Sequence, residues 1–362
     1  MALRWIEGFE TDQDVVDFGR KYAVAVNSGS WSFSTGPKVG SMMQAGGNAD
    51  SELRTKTLVI TPSNTWFTGW RVRCSTTSGG FTTVTDRGGG ITAFRGASDQ
   101  VEIRIHSAGG GAFTWRVYRG ATLLGESPSF WDSDWIYWEF KFVCRTGTNG
   151  SVEIKSRDTY HGSASTVFYS LAAVNTANSG TDGADTFRFK FQFGNNGSFD
   201  DIYINDDSGS VNNDYTSGDV VIFGSSPNGD GNRVQWTPSS GTVHFSLVND
   251  PAGTPSDTTK IKSQTPGQVD LFDYQNLALV SSGQSLLGLM MGTTGGMETS
   301  GSRNLRHIIR DTGGSEATGT AWNWSTTPTQ HQAEVFEQNP VTSVPWTKTA
   351  VDAAQFGIEL VS

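Results

Sequence analysis

The chain has only two cysteines in 362 residues, Cys74 and Cys144, which excludes a thiolate zinc site. Both lie in strand-like runs, WRVRC and YWEFKFVC. They are expected as buried free thiols, with a disulfide the alternative if the two strands face each other. Charge is sparse as well, at 17% of residues, and leans acidic: 26 Lys and Arg against 36 Asp and Glu give a net charge of -10 and a pI near 5.0. A duplex nucleic-acid partner is therefore not expected, because such binding runs on Lys and Arg replacing phosphate counterions. No window reaches the roughly 18 apolar residues of a membrane span. The first residues, MALRWIEGFETDQDV, lack a basic stretch followed by an apolar one, so no signal peptide is expected. The five histidines, His106, His161, His244, His307 and His331, show no metal-ligand spacing. No G-x-S-x-G elbow and no phosphate loop occur, and no repeat is evident.

What the chain does have is turn chemistry and aromatic strands. It holds 44 Gly, 12 Trp and 21 Phe, with abundant Ser, Thr and Asn, the composition of short strands joined by turns. The fold class is expected to be all-β. Its length exceeds what one core usually serves, so two domains are expected. The stretch 187–205, FRFKFQFGNNGSFDDIYIN, is the plainest signal. Phe187, Phe189, Phe191 and Phe193 share one face against Arg188, Lys190 and Gln192 on the other, the period of a half-buried strand. An Asn/Gly turn follows, then a strand with Ile202 and Ile204 opposite Tyr203. This reads as a hairpin closing a sandwich. The aperiodic DDSGSVNNDYTSG then marks a linker. The expected organisation is a jelly-roll β-sandwich over 1–205, a linker over 206–218, and a smaller β-rich domain with long loops, 224–241 and 313–329, over 219–362.

Residues 131–144, WDSDWIYWEFKFVC, with the turn 146–150 and the strand SVEIK, resemble the central hairpin of concanavalin A-like lectin/glucanase and laminin-G-like domains. FDDIYI adds to that resemblance, which implies the jelly roll. In the second half, GDG at 229–231, VQWTP at 234–238, VDLF at 269–272 and the ending NPVTSVPWTKTAVDAAQFGIELV resemble the C-terminal part of tailed-bacteriophage virion structural proteins. That resemblance implies assembly in the host cytoplasm into a virion, as a tail fibre or spike component or a head decoration. Other virion proteins would be its partners, and a homo-oligomer its state.

A glucanase on such a sandwich would carry two carboxylates in an E-x-D-x-E spacing, and that spacing is absent. Asp132 and Asp134 read as turn residues and Glu139 as a solvated strand glutamate. No enzymatic activity is expected on these grounds. The alternative is a carbohydrate-active depolymerase or glucanase of a phage tail. Exposed indoles stack on sugar rings, which makes Trp131, Trp135, Trp322 and Trp324 candidates for host-surface glycan binding, with core packing as the other reading. The locally basic RNLRHIIR supplies interface candidates Arg303, Arg306 and Arg310, joined by Trp346. No cofactor is expected beyond calcium, for which Asp200 and Asp201 are the candidate oxygen ligands.

Overall fold

The structure, a computed structural model, describes residues 2–9, 21–26, 31–35, 41–45, 51–74, 89–109, 111–131, 135–157, 167–191, 197–216, 218–250, 256, 258–277, 280, 284–298, 302–324 and 330–362. The described residues are almost wholly β, and divide into a unit containing 21–222 and another containing 223–362. The segment expected as a linker lies inside the first unit. The expected turn residues 194–196, Phe193, Asp132 and Asp134 lie outside the described residues.

The first unit is a sandwich of two antiparallel sheets. In the first sheet the strands run, edge to edge, Val167–Val174, Gly150–Ser156, Ile136–Val143, Thr65–Cys74, Gly197–Asp206, Ser41–Ala45 and Trp31–Thr35, with Leu3–Glu7 also paired to Gly197–Asp206. The second runs Thr122–Glu126, Ala112–Arg119, Ser98–Gly109, Gly90–Arg95, Thr186–Phe191, Ser51–Arg54 and Val24–Val26, with Phe130–Trp131 beside Ala112–Arg119. The jelly roll expected from alternation is present. One part of that reading is corrected: Thr186–Phe191 and Gly197–Asp206 do not pair as a hairpin but belong to opposite sheets. Alternation tells which side chains point inward, and both strands do point inward, from the two sides of one core.

That core is aromatic. Phe187 packs edge-on to Trp66 at 5.1 Å, Phe199 stacks on Trp70 at 5.2 Å, and Trp115 meets Trp138 at 5.4 Å. Such pairs contribute about 0.5–1.5 kcal/mol each beyond the area they bury. Cys144 is a free, buried thiol. The antiparallel register explains this: Cys144 pairs through its amide with Asn64, at one end of a strand whose other end is Cys74.

In the second unit a six-stranded sheet is built around Val269–Tyr274, Gln355–Leu360 and Arg303–Arg310, and a strand pair, Leu289–Gly295 with Gln330–Phe336, stands apart. The expected long loops are partly strands, Pro227–Val234, Glu316–Thr318 and Trp322–Trp324. Residues Phe245–Leu247 form a 3-10 turn. Among the described residues no helix is long and apolar enough to cross a membrane.

Candidate functional site

Two outward faces of the sandwich carry polar chemistry, one centred on a carboxylate and one on cations. On the first sheet, Glu139 projects away from the core yet is fully buried. It accepts hydrogen bonds from the Thr216 amide at 2.9 Å, from Thr216 Oγ1 at 2.6 Å and from the Tyr203 hydroxyl, and it pairs with Arg157. The cover is formed by residues 207–216 and 218–222, which lie across the sheet. Its Asp219 and its Val220 carbonyl meet Arg71, which also bonds Asp201 at 3.0 Å. Burial, with the Glu139 charge adding to it, pushes the Tyr137 and Tyr203 hydroxyls well above their usual range. Glu139 is thus not the solvated glutamate expected from its strand position, and the sealed carboxylate has no open partner for hydrolysis.

On the second sheet the outward face is cationic. Registers follow from the alternation: Val101, Ile103 and Ile105 point into the core, so Glu102, Arg104 and His106 point out. Across the ladder Glu102 faces Tyr118, Arg104 faces Arg116, and His106 faces Thr114. On the other side Arg188 faces Arg54, and Lys190 faces both Glu52 and Gly90. Gly90 in turn faces Arg104, so no side chain separates Lys190 from Arg104. A Cβ at Gly90 would lie 2.3 Å from the Ile103 carbonyl oxygen, so only glycine fits there. Adjacent strands are about 4.8 Å apart, so these groups form one continuous patch.

Carboxylates thread between the cations. Glu102 pairs with Arg104 at 2.7 Å and lies 3.7 Å from Arg188, which also meets Glu52 at 3.5 Å. Arg116 bonds Glu126 at 3.0 Å, and Thr114 donates to the same carboxylate at 2.7 Å. Burial works to raise the Glu126 carboxyl, but the hydrogen bonds from Thr114 and Arg116, with the charges of Arg116 and His106, hold it below its usual value. Like charges placed directly opposite on a sheet are destabilising. Both Arg104–Arg116 and Arg54–Arg188 are such pairs. In a chain of net charge -10, this concentration of cations sets one face apart from the acidic whole.

The residues singled out from sequence fall elsewhere. Trp131 ends a short strand against Ala112, and Trp135 is half-buried. Trp324 is a core residue, packed with Trp236, Leu305 and Leu360, and Trp322 lies 4.5 Å from the His307 ring. Trp131 and Trp135 belong to one unit, Trp322 and Trp324 to the other. Trp346 is also core, 3% exposed, donating to the Phe336 carbonyl at 2.9 Å. Arg303 is exposed, whereas Arg306 pairs with Glu359 at 2.9 Å and Arg310 with Glu316 at 3.0 Å. Asp200 and Asp201 are both buried, and Asp201 accepts from Arg71 and from the Ile222 amide at 2.8 Å. Its oxygens serve a guanidinium and a backbone donor, not a rim calcium. Among the described residues no group of three or more His, Cys, Asp or Glu is placed to hold a metal ion. The cationic face was missed because its residues come from five separate strands; the signal available was the polar alternate set of each strand.

No protein-family profile matches the chain, and no curated protein matches it. Solved structures do. An alginate lyase in complex with an alginate tetrasaccharide is 13% identical, with a TM-score of 0.36, covering 56% of this chain and 95% of its own. An endo-β-1,4-glucuronan lyase from the fungus Trichoderma reesei is 11% identical at a TM-score of 0.34, covering 51% and 90%. An alginate lyase from a Chlorella virus is 12% identical at 0.32, covering 51% and 99%. The expectation of a chain without enzymatic activity is corrected by this comparison, since structures it is similar to are lyases.

Proposed function

We propose that the outer face of the second sheet binds an acidic polysaccharide and cleaves it by β-elimination. The observation that carries this reading is the facing pair Arg104 and Arg116, which shares its surface with His106 and Tyr118. Elimination needs three things: neutralisation of a uronate carboxylate, a base for the proton on the adjacent carbon, and an acid for the leaving oxygen. Arg104 and Arg116 offer the first, as planar forks suited to carboxylates. With the carboxylate neutralised, His106 takes the proton from the carbon beside it. The released electron pair forms a double bond to the next ring carbon, and that carbon's bond to the glycosidic oxygen breaks. His106, now protonated, returns that proton to the departing oxygen. A carboxylate-pair glycosidase is the weaker reading, because Glu139 is sealed.

Incubation with a polyuronate and with a neutral glucan tests the proposal. Ultraviolet absorbance of an unsaturated product is expected from the polyuronate alone, and is expected to disappear in Arg104→Gln and His106→Gln variants that retain the wild-type melting temperature. Absence of product, together with equal affinity for the two polymers, would overturn it. The resemblance of residues 219–362 to virion structural proteins supports placing this activity on a phage tail, homo-oligomeric and joined to other virion proteins through that region. Mass spectrometry of purified particles tests that location, and its absence from particles counts against it.

A further inference from the structure

The second arginine pair of the same face is built differently from the first. Arg54 and Arg188 are direct cross-strand partners, and both guanidinium carbons lie over the ring of Phe94, at 4.1 Å and 5.0 Å. Phe94 itself is 6% exposed and follows an irregularity in the register between Ala93 and Phe94. A second set of bonds fixes each arginine from below. Arg54 donates to Thr186 Oγ1 at 3.3 Å and to the Gly96 carbonyl, and Arg188 donates to Thr92 Oγ1 at 3.0 Å. Two guanidinium groups are thus held side by side against their mutual repulsion by an aromatic ring and two threonines.

Three observations indicate that this arrangement is incomplete without an anion. Arg188 Nε is buried with no hydrogen-bond partner among the described residues, and so is Glu102 Oε1 beside it. Burial lowers Arg54 below its usual value and the neighbouring Arg188 charge adds to this, while Asp185 and Glu52 oppose it. Neither Glu52, at 3.5 Å from Arg188, nor Glu102, at 3.7 Å, makes the bidentate contact an arginine fork favours. An added carboxylate would relieve the repulsion and take up donors left over. The ring costs nothing extra when the anion arrives, because both guanidiniums are already in place.

We infer that Arg54 and Arg188 form a preassembled subsite for a single carboxylate of the polysaccharide, and that Phe94 is the positioning residue that holds them together. This deepens the proposed function and rests on it for the polymer, though not for the anion. A titration with monomeric sodium glucuronate, followed by NMR at the Arg54 and Arg188 Nε–H resonances, tests the subsite without any cleavage. Both resonances are expected to shift together and saturably in the wild type. In Phe94→Leu the affinity is expected to fall about tenfold, the scale of a partly desolvated cation–π contact. Phe94→Tyr is expected to restore it, since its ring face is retained. With polyuronate, Phe94→Leu is expected to raise KM more than it lowers kcat. A wild type with no saturable shift at either arginine would overturn the subsite, and a Phe94→Leu protein titrating like the wild type would overturn the role of the ring. Saturable glucuronate binding in a protein that cleaves no polyuronate would leave the subsite standing and sink the elimination reading alone.

Discussion

Thr216 Oγ1 donates a 2.6 Å hydrogen bond to Glu139 Oε1, and through it the segment formed by residues 207–216 and 218–222 is pinned across the first sheet. Thr216→Val removes this donor and leaves a buried carboxylate short of a partner. A loss of about 1–3 kcal/mol is expected, read as a lower denaturation midpoint, while Thr216→Ser is expected to melt near the wild type. Equal midpoints for Thr216→Val and the wild type would show that the segment is not held this way.

Gly69 lies beneath the two tyrosines of that network. A Cβ there would meet Tyr203 Cε1 at 2.3 Å and the Tyr137 hydroxyl at 2.7 Å. Gly69→Ala must therefore displace rings that are packed and hydrogen-bonded. Overpacking of this kind costs about 1–3 kcal/mol, and a thermal melt checks it. A stabilised Gly69→Ala protein would contradict the packing described.

In the second unit the Glu334 carboxylate lies 3.1 Å from His307 Nδ1 and accepts the Thr320 amide at 2.7 Å. Burial works to raise the Glu334 carboxyl, but the bonds from His307 and Thr320 outweigh it and hold it below its usual value. A depressed carboxylate contributes stability that is present above its unfolded value, about 4.3, and is lost as pH falls through the folded value. Acid unfolding of this unit is expected to be less steep in Glu334→Gln. Identical acid limbs in chemical denaturation would refute the coupling.

Burial pushes the Cys144 thiol up to about 12, with the Asp182 charge adding to it. The thiolate is the reactive form. Native protein is expected to resist thiol-specific reagents at Cys144 at neutral pH, with labelling appearing only as denaturant exposes the core. Mass-spectrometric mapping of rapid native labelling at Cys144 would disprove this.

Much of the fold was legible because alternation reports directly on burial. The run YWEFKFVC followed by SVEIK did become an antiparallel pair, Ile136–Val143 with Gly150–Ser156. The same pattern is silent on which sheet a strand joins, so Thr186–Phe191 and Gly197–Asp206 looked like hairpin partners and are not. Glu139 illustrates the limit on sites. Its strand position said outward, and outward ordinarily means solvated, but a segment seventy-seven residues away in sequence covers it. The tryptophans misled for a related reason: Trp324 and Trp346 sit among turn formers, yet their rings fold back into cores.

The sequence by itself determined the β class and the inward aromatic faces, because these depend on local period and turn chemistry. Only the tertiary structure decided that Arg54, Arg104, Arg116, Arg188 and His106 share one face while Glu139 is closed off on the other. Cross-strand neighbours are set by sheet order and register, and a strand's own residues carry no record of which strand will lie beside it.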